Sequence, residues 1–164
     1  MDELVELLKA NGVERLVDVR TAPGSRRMPH FARASLEVEL PERGIEYVHM
    51  LELGGLRKPR HDSVNGAWRN DSFRGYADYM QTAEFWQAID RLRVLAAEKT
   101  TAIMCAEAVP WRCHRSLIAD ALVVRGVEVR HITGKGDPSL HRLTPFARVL
   151  DGRITYPPTD TLPI

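Results

Sequence analysis

Apolar positions along the chain follow two periods, and together they predict helices alternating with short strands. Leu4, Leu7 and Leu8 share one helical face behind Asp2 as N-cap, and Gly12 closes that helix as its C′ residue. Leu16-Val17-Asp18-Val19-Arg20 reads as a first strand. Residues 21–30, with Pro23, Gly24 and Pro29, form a loop. A short helix follows from Ala32 to about Leu40, where Pro41 disfavours continuation. Ile45 to His49 is a second strand. Residues 51–71 are the longest irregular stretch, carrying Gly54-Gly55, Pro59 and Trp68, and loops of this length are usually functional or mobile.

Ser72 to Thr82 reads as helical, and a clearer helix follows with Phe85, Ile89, Leu92 and Leu95/Ala96 on one face. Thr101 to Cys105 is a third strand, mostly apolar as in a buried parallel sheet. A helix from Cys113 to Arg125 stops at Gly126, and Val127 to Ile132 is a fourth strand. Beyond Thr133 the chain is turn-rich, with five prolines, and reads as a packed tail with one short edge strand near Ile154. Strands alternating with helices indicate an α/β protein, a three-layer α/β/α domain with a mostly parallel sheet. No repeat, low-complexity tract or linker divides it, so residues 1–164 read as one domain with 133–164 as its tail.

Composition narrows the function classes. A length of 164 residues suits a single core without disulfides, and no apolar run approaches the ~20 residues of a membrane helix. The start, Met1-Asp2-Glu3, has no basic region before an apolar one, so a cytoplasmic location is expected. A net charge of +1 supplies no global pull toward nucleic acid or membrane, so any electrostatic function is local. The two cysteines, 105 and 113, argue against a structural disulfide and leave inert buried thiols, a metal pair or a reactive thiol.

Every predicted strand ends in groups able to do chemistry. Asp18 and Arg20 close the first, His49 and then Glu52 the second, Cys105 and then Glu107 the third, and His131 lies on the fourth. The carboxyl ends of parallel strands share one edge, which is where open α/β sheets bind ligands. The densest unit is the strand–loop–helix segment from Cys105 to Arg115. A helix N-terminus there, with Arg112 and Arg115, favours an anion such as phosphate. Cys105 reads either as a nucleophile or as a small buried hydrophobe, and Glu107 as a general acid or base or as an ion-pair partner of Arg20 or Arg115. Trp111 occupies the arginine position of a Cys-x5-Arg phosphatase loop, which disfavours that reaction. Cys105, Glu107, Cys113 and His114 lack the spacing of a standard zinc site, so no metal is expected, and His114 reads as a proton carrier or helix cap.

Two basic loops lie beside aromatics: Arg26-Arg27 with His30 and Arg33 near Phe31, and Arg57-Lys58 with Arg60 and His61 ahead of Trp68. They suit phosphates and stacked bases, or simply a solvated surface. Gly54-Gly55 and Gly134-Lys135-Gly136 match neither a P-loop nor a dinucleotide fingerprint.

Taken in order, Asp18-Val19-Arg20 with Pro23, Ser25 and Phe31, then Leu53-Gly54-Gly55, then Cys105-Ala106-Glu107, Cys113-His114-Arg115 and Val129-Arg130-His131-Ile132 resemble the signatures of DUF488 proteins. The resemblance implies a Rossmann-like α/β/α domain of uncharacterised function and supplies no reaction, cofactor or catalytic residue. It joins Asp18, Arg20, Cys105, Glu107, Cys113, His114 and Arg115 into one expected cluster. Family members usually open with a strand ending in a Gly-His-Ser-like turn, whereas this chain opens at the first helix, so that strand and its polar turn are expected to be absent.

Three functions fit. The first is a small enzyme acting on a phosphate-bearing substrate, a nucleotide or nucleic-acid end. Asp18, Arg20, Arg112, Cys113 and Arg115 would bind the anion, Glu107 and His114 would move protons, Cys105 would be the nucleophile, and no cofactor would be needed. The second is a non-catalytic nucleic-acid-binding module using loops 26–33 and 57–61. The third is a structural domain in which Asp18, Arg20, Glu107 and Arg115 satisfy one another. None calls for a membrane.

Overall fold

The computed structural model describes residues 1–21, 29–105, 113–134 and 136–158. Five helices and three parallel strands form its body: α1 (Asp2–Ala10), β1 (Arg15–Asp18), α2 (Arg33–Glu42), β2 (Glu46–His49), α3 (Asp71–Tyr79), α4 (Ala83–Glu98), β3 (Thr101–Met104) and α5 (Arg115–Val124). Four short strands follow, β4 (Arg130–His131), β5 (Ser139–Leu140), β6 (Arg148–Leu150) and β7 (Arg153–Thr155). The protein is therefore α/β with a small parallel sheet.

Two helices, α3 and α4, begin where a side chain replaces missing backbone acceptors. Asn70 accepts from the Ser72 and Phe73 amides ahead of α3, and Thr82 accepts from the Phe85 amide ahead of α4. Asp2 does not cap α1. It lies inside the first turn, behind Met1, where its carboxylate favours the helix dipole and pairs with Arg43 at 2.6 Å. Pro41 does not end α2. It sits in the last turn, where its lost N–H removes a single helical bond, and its carbonyl accepts from the Gly44 amide.

The sheet order is β2-β1-β3, all parallel, with Asp18 in register with His49 on one side and Met104 on the other. β1 is thus paired along both edges and no gap opens within the sheet. Side chains alternate across it. Leu16 packs with Val5 and Leu8 of α1 and with Leu36 and Leu40 of α2. Val17 and Val19 pack on the other face with Tyr76 of α3, Phe85, Ile89 and Leu92 of α4, and Leu117, Ile118 and Ala121 of α5.

The last third of the described chain departs from expectation. Only Arg130 and His131 of the expected fourth strand are extended and paired, and they pair antiparallel with β5 rather than joining the parallel sheet. The chain folds back at once, and His141 donates its amide to the Val129 carbonyl, so the partner of this segment is its own return. The single edge strand expected near Ile154 is instead half of the β6–β7 hairpin. Its turn residues Asp151 and Gly152 both have positive φ, which matches the twist of a two-residue hairpin loop. Beyond it, Ile154 and Tyr156 are wholly buried among the residues of α3, α4 and α5.

Candidate functional site

The register brings the ends of β1 and β3 to the start of α5. Cys105 follows β3 directly, and Cys113 stands just ahead of α5. Their sulfurs lie 2.8 Å apart, neither is in a disulfide, and both residues are partly exposed. The Cys113 sulfur also accepts from the Arg115 amide at 3.2 Å and from Arg115 Nε at 3.1 Å. Either sulfur can donate across the pair, and the two N–H donors already on Cys113 favour it as the acceptor. The Cys105 hydrogen bond, and after it the Arg115 donors and charge, hold the Cys113 thiol down at about 6 against the opposing effect of burial.

This arrangement uses up the start of α5. The Ser116 amide bonds the Cys113 carbonyl, and the Leu117 and Ile118 amides both bond the His114 carbonyl. The free N–H groups that a helix start offers an anion are therefore directed inward, and the one at Arg115 already serves sulfur. The anion favoured by this helix end is the Cys113 thiolate itself.

His114 fixes that end against β1. Its Nε2 donates to the Val19 carbonyl at 3.1 Å, and its ring lies 4.8 Å from the Tyr76 ring. Burial lowers its pKa, which favours the neutral ring. Gly55 is required beside it, because a Cβ there would fall 2.6 Å from His114 Nδ1. A Cβ on Gly54 would meet Thr21 Oγ1 and the Leu51 carbonyl. The Gly54-Gly55 pair is therefore a packing requirement of the sheet edge.

Asp18 and Arg20, far from this unit in sequence, are brought to the same end of the sheet by the β1–β3 register but turn away from it. Asp18 shares the side-chain phase of Leu16, so its carboxylate belongs to the α1/α2 face. Arg20 Nε and Nη2 grip Asp18 as a fork at 2.9 and 2.7 Å, and Nη2 also reaches the Phe31 carbonyl. Tyr47 donates its hydroxyl to Asp18 Oδ2, and burial, then the Asp18 carboxylate, push its pKa up so that it keeps the proton. Asp18 is wholly buried and Arg20 nearly so. The structure thus divides the expected cluster into a closed Asp18–Arg20–Tyr47 network and a Cys105–Cys113–Arg115 unit, with His114 joining the latter to β1. Glu107 and Arg112 lie outside the described residues.

The basic loops are partly committed. Arg57 stacks on Tyr79 with 3.7 Å from its guanidinium carbon to the ring centroid and donates to the Gly54 carbonyl, while Arg60 pairs with Asp62 at 2.9 Å. Lys58 and His61 are exposed. Arg33 bonds Glu37 and His49, whose Nε2 donates to the Arg20 carbonyl. Arg26 and Arg27 lie outside the described residues. Among the described residues no three of His, Cys, Asp and Glu converge as metal ligands.

A second buried group escapes sequence reasoning. Asp120, in the middle of α5, accepts from His141 Nε2 at 2.8 Å, the Thr144 amide at 3.1 Å and the Tyr156 hydroxyl at 2.7 Å. On its other side, His141 Nδ1 lies 2.7 Å from His131 Nε2. Burial lowers the His131 pKa, and the neighbouring His141 and Arg115 lower it further. The signal available was an aspartate inside the apolar run Leu117-Ile118-Ala119-Asp120-Ala121-Leu122, since a carboxylate is seldom fully buried unless paired.

A family described as domain of unknown function DUF488 matches residues 1–122. No curated protein and no solved structure matches the chain.

Proposed function

The chain belongs to the DUF488 family, whose description assigns no reaction, and we propose that it is a small enzyme acting at the carboxyl edge of its sheet with Cys113 as nucleophile. The observation that carries this reading is the convergence on the Cys113 sulfur of the Arg115 amide and guanidinium, with the Cys105 sulfur 2.8 Å away. The spacing of the chain nominates Cys105 for this role. The geometry favours Cys113, because an activated thiolate needs donors around it and the Arg115 amide and guanidinium both reach its sulfur.

The substrate class in this proposal is phosphate-bearing, a nucleotide or a nucleic-acid end. Arg115 is the described cation beside the thiolate, and Arg112 is assigned with it to the anion. Glu107 keeps its assignment as acid or base. His114 serves as a positioning residue, since its ring is fixed between the β1 carbonyl and Tyr76. Asp18 and Arg20 stiffen the edge from the other face rather than meeting substrate. Apolar clusters on both faces of the sheet support a three-layer, Rossmann-like arrangement, and two cysteines outside any disulfide suit a reducing, cytoplasmic compartment. Nucleic-acid binding through loop 57–61 is less favoured, since Arg57 and Arg60 are already engaged.

Alkylation with iodoacetamide at pH 6.5 tests the proposal. Cys113 should be modified before Cys105, and a nucleoside monophosphate should slow that modification by binding at Arg115 beside the same sulfur. Equal modification of both thiols, or a rate indifferent to nucleotide and to inorganic phosphate, would count against it.

A further inference from the structure

We propose that Cys105 and Cys113 act as a dithiol that exchanges with disulfide substrates and closes reversibly into an intramolecular disulfide. The inference rests on the Cys113 thiolate proposed above and adds a second activity to the same edge. Its foundation is geometric. The two sulfurs are already 2.8 Å apart, and a disulfide bond needs about 2.05 Å, so closure asks for a side-chain adjustment rather than a rearrangement of β3 against α5. Neither cysteine is in a disulfide and both are partly exposed, so a disulfide can reach them.

The environment also assigns the two sulfurs different roles. Cys113 carries the donors, stands at a helix start and is the attacking sulfur. The Cys105 sulfur lies 2.8 Å from Cys113 Sγ, which places it to attack that same sulfur from the other side of a mixed disulfide. In the first step the Cys113 thiolate attacks one sulfur of R–S–S–R. The R–S bond to the second sulfur stays intact, the S–S bond breaks, and R–S⁻ leaves and takes a proton from water. In the second step the Cys105 sulfur attacks Cys113 Sγ, the mixed disulfide breaks, and the second R–S⁻ leaves with the proton that Cys105 gives up. One disulfide is reduced to two thiols and the protein dithiol is oxidised to one disulfide, so electrons and protons balance. A reducing thiol reverses both steps.

The size of the effect follows from thiolate fraction and nucleophilicity together. At pH 6 a thiol held at about 6 is half ionised, whereas one at 9.0 is ionised to ~0.1%; the weaker nucleophilicity of the more acidic thiolate takes back ~20-fold, leaving a net advantage of ~20-fold. At pH 7 the same reasoning leaves only about fourfold. The advantage of Cys113 over an ordinary thiol should therefore widen as the solution is made more acidic.

The reduced full-length protein is incubated with oxidised glutathione at pH 6, and intact mass and released glutathione are followed. The wild type should lose two hydrogens and release two equivalents of reduced glutathione. Cys105→Ser, and Cys105→Ala as a second variant, should stop at a mixed disulfide on Cys113 with one equivalent released. Cys113→Ser should react about twentyfold more slowly. A wild-type protein that accumulates the mixed disulfide, or that is glutathionylated first on Cys105, overturns the inference, and this arm needs no variant to fold. The outcome is separable from that of the substrate reading. An acidic Cys113 that no nucleotide protects removes the phosphate-bearing substrate and leaves exchange standing, whereas a persistent mixed disulfide removes exchange and leaves the substrate reading standing.

Discussion

Asp120 shows how much one side chain can organise when it is buried with its partners. Its carboxylate accepts from three donors on two segments, His141 and Thr144 on the return from β5 and Tyr156 beyond β7. Tyr156 keeps its proton because burial, and then the Asp120 carboxylate, push its pKa well up. Replacing Asp120 with Asn turns an amide N–H₂ toward groups that are themselves donors. Asp120→Asn should therefore cost about 1–3 kcal/mol of stability, read as a lower urea midpoint at unchanged slope. A loss within the ±0.5 kcal/mol typical of surface substitutions would mean that the network contributes little. At this scale the sequence supplied the residue types of the thiol unit but not their roles. Spacing alone could not tell Cys105 from Cys113, because the difference lies in which sulfur receives the Arg115 donors, and that depends on how α5 begins.

Elements were legible where one period dominated. Phe85, Ile89 and Leu92 recur at helical spacing and lie buried on α4, and the apolar run at Leu16-Val17 is the buried centre of the sheet. Elements were misread where a local signal competed with tertiary context. Pro41 is a breaker in general and harmless in a last turn. Val127 to Ile132 has strand composition, but its partner is the returning chain at Ser139–Leu140 rather than β3. Two imidazoles at element ends carry a pH consequence. Burial lowers the pKa of His114 ahead of α5 and of His131 in β4, so each binds fewer protons folded than unfolded. Their contribution to stability is fully present above the ordinary histidine value of 6.5 and is lost as the pH falls through the lower folded values. Cys113, held at about 6 against 9.0, also binds fewer protons folded than unfolded, so the wild-type melting temperature should already fall from pH 8 to 7, whereas in Cys113→Ser the decline should begin only below about 6.5. In that Cys113→Ser background His131→Gln should soften the decline, and a Cys113→Ser protein equally stable at pH 5.5 and 7.5 would refute the assignment.

The whole molecule was legible as α/β, since alternation of helices and strands survives errors in any one element. What sequence could not supply was the side of the sheet on which each polar group falls. Asp18-Val19-Arg20 and Cys113-His114-Arg115 read as one cluster, yet strand alternation places the Asp18 network with α1 and α2 and the thiol unit with α5. The family match over residues 1–122 takes in both cysteines and Asp120 but not His131, His141 or Tyr156, which complete the buried network from outside it. The central claim, that the molecule gathers its chemistry on Cys113, is tested most directly by titrating the thiolates through their ultraviolet absorbance. The account predicts one midpoint at about 6 that disappears in Cys113→Ser, persists in a folded Asp18→Asn protein, and rises when Arg115 is replaced by Leu. A midpoint near 9.0 for Cys113, unmoved by the loss of Arg115, would contradict it.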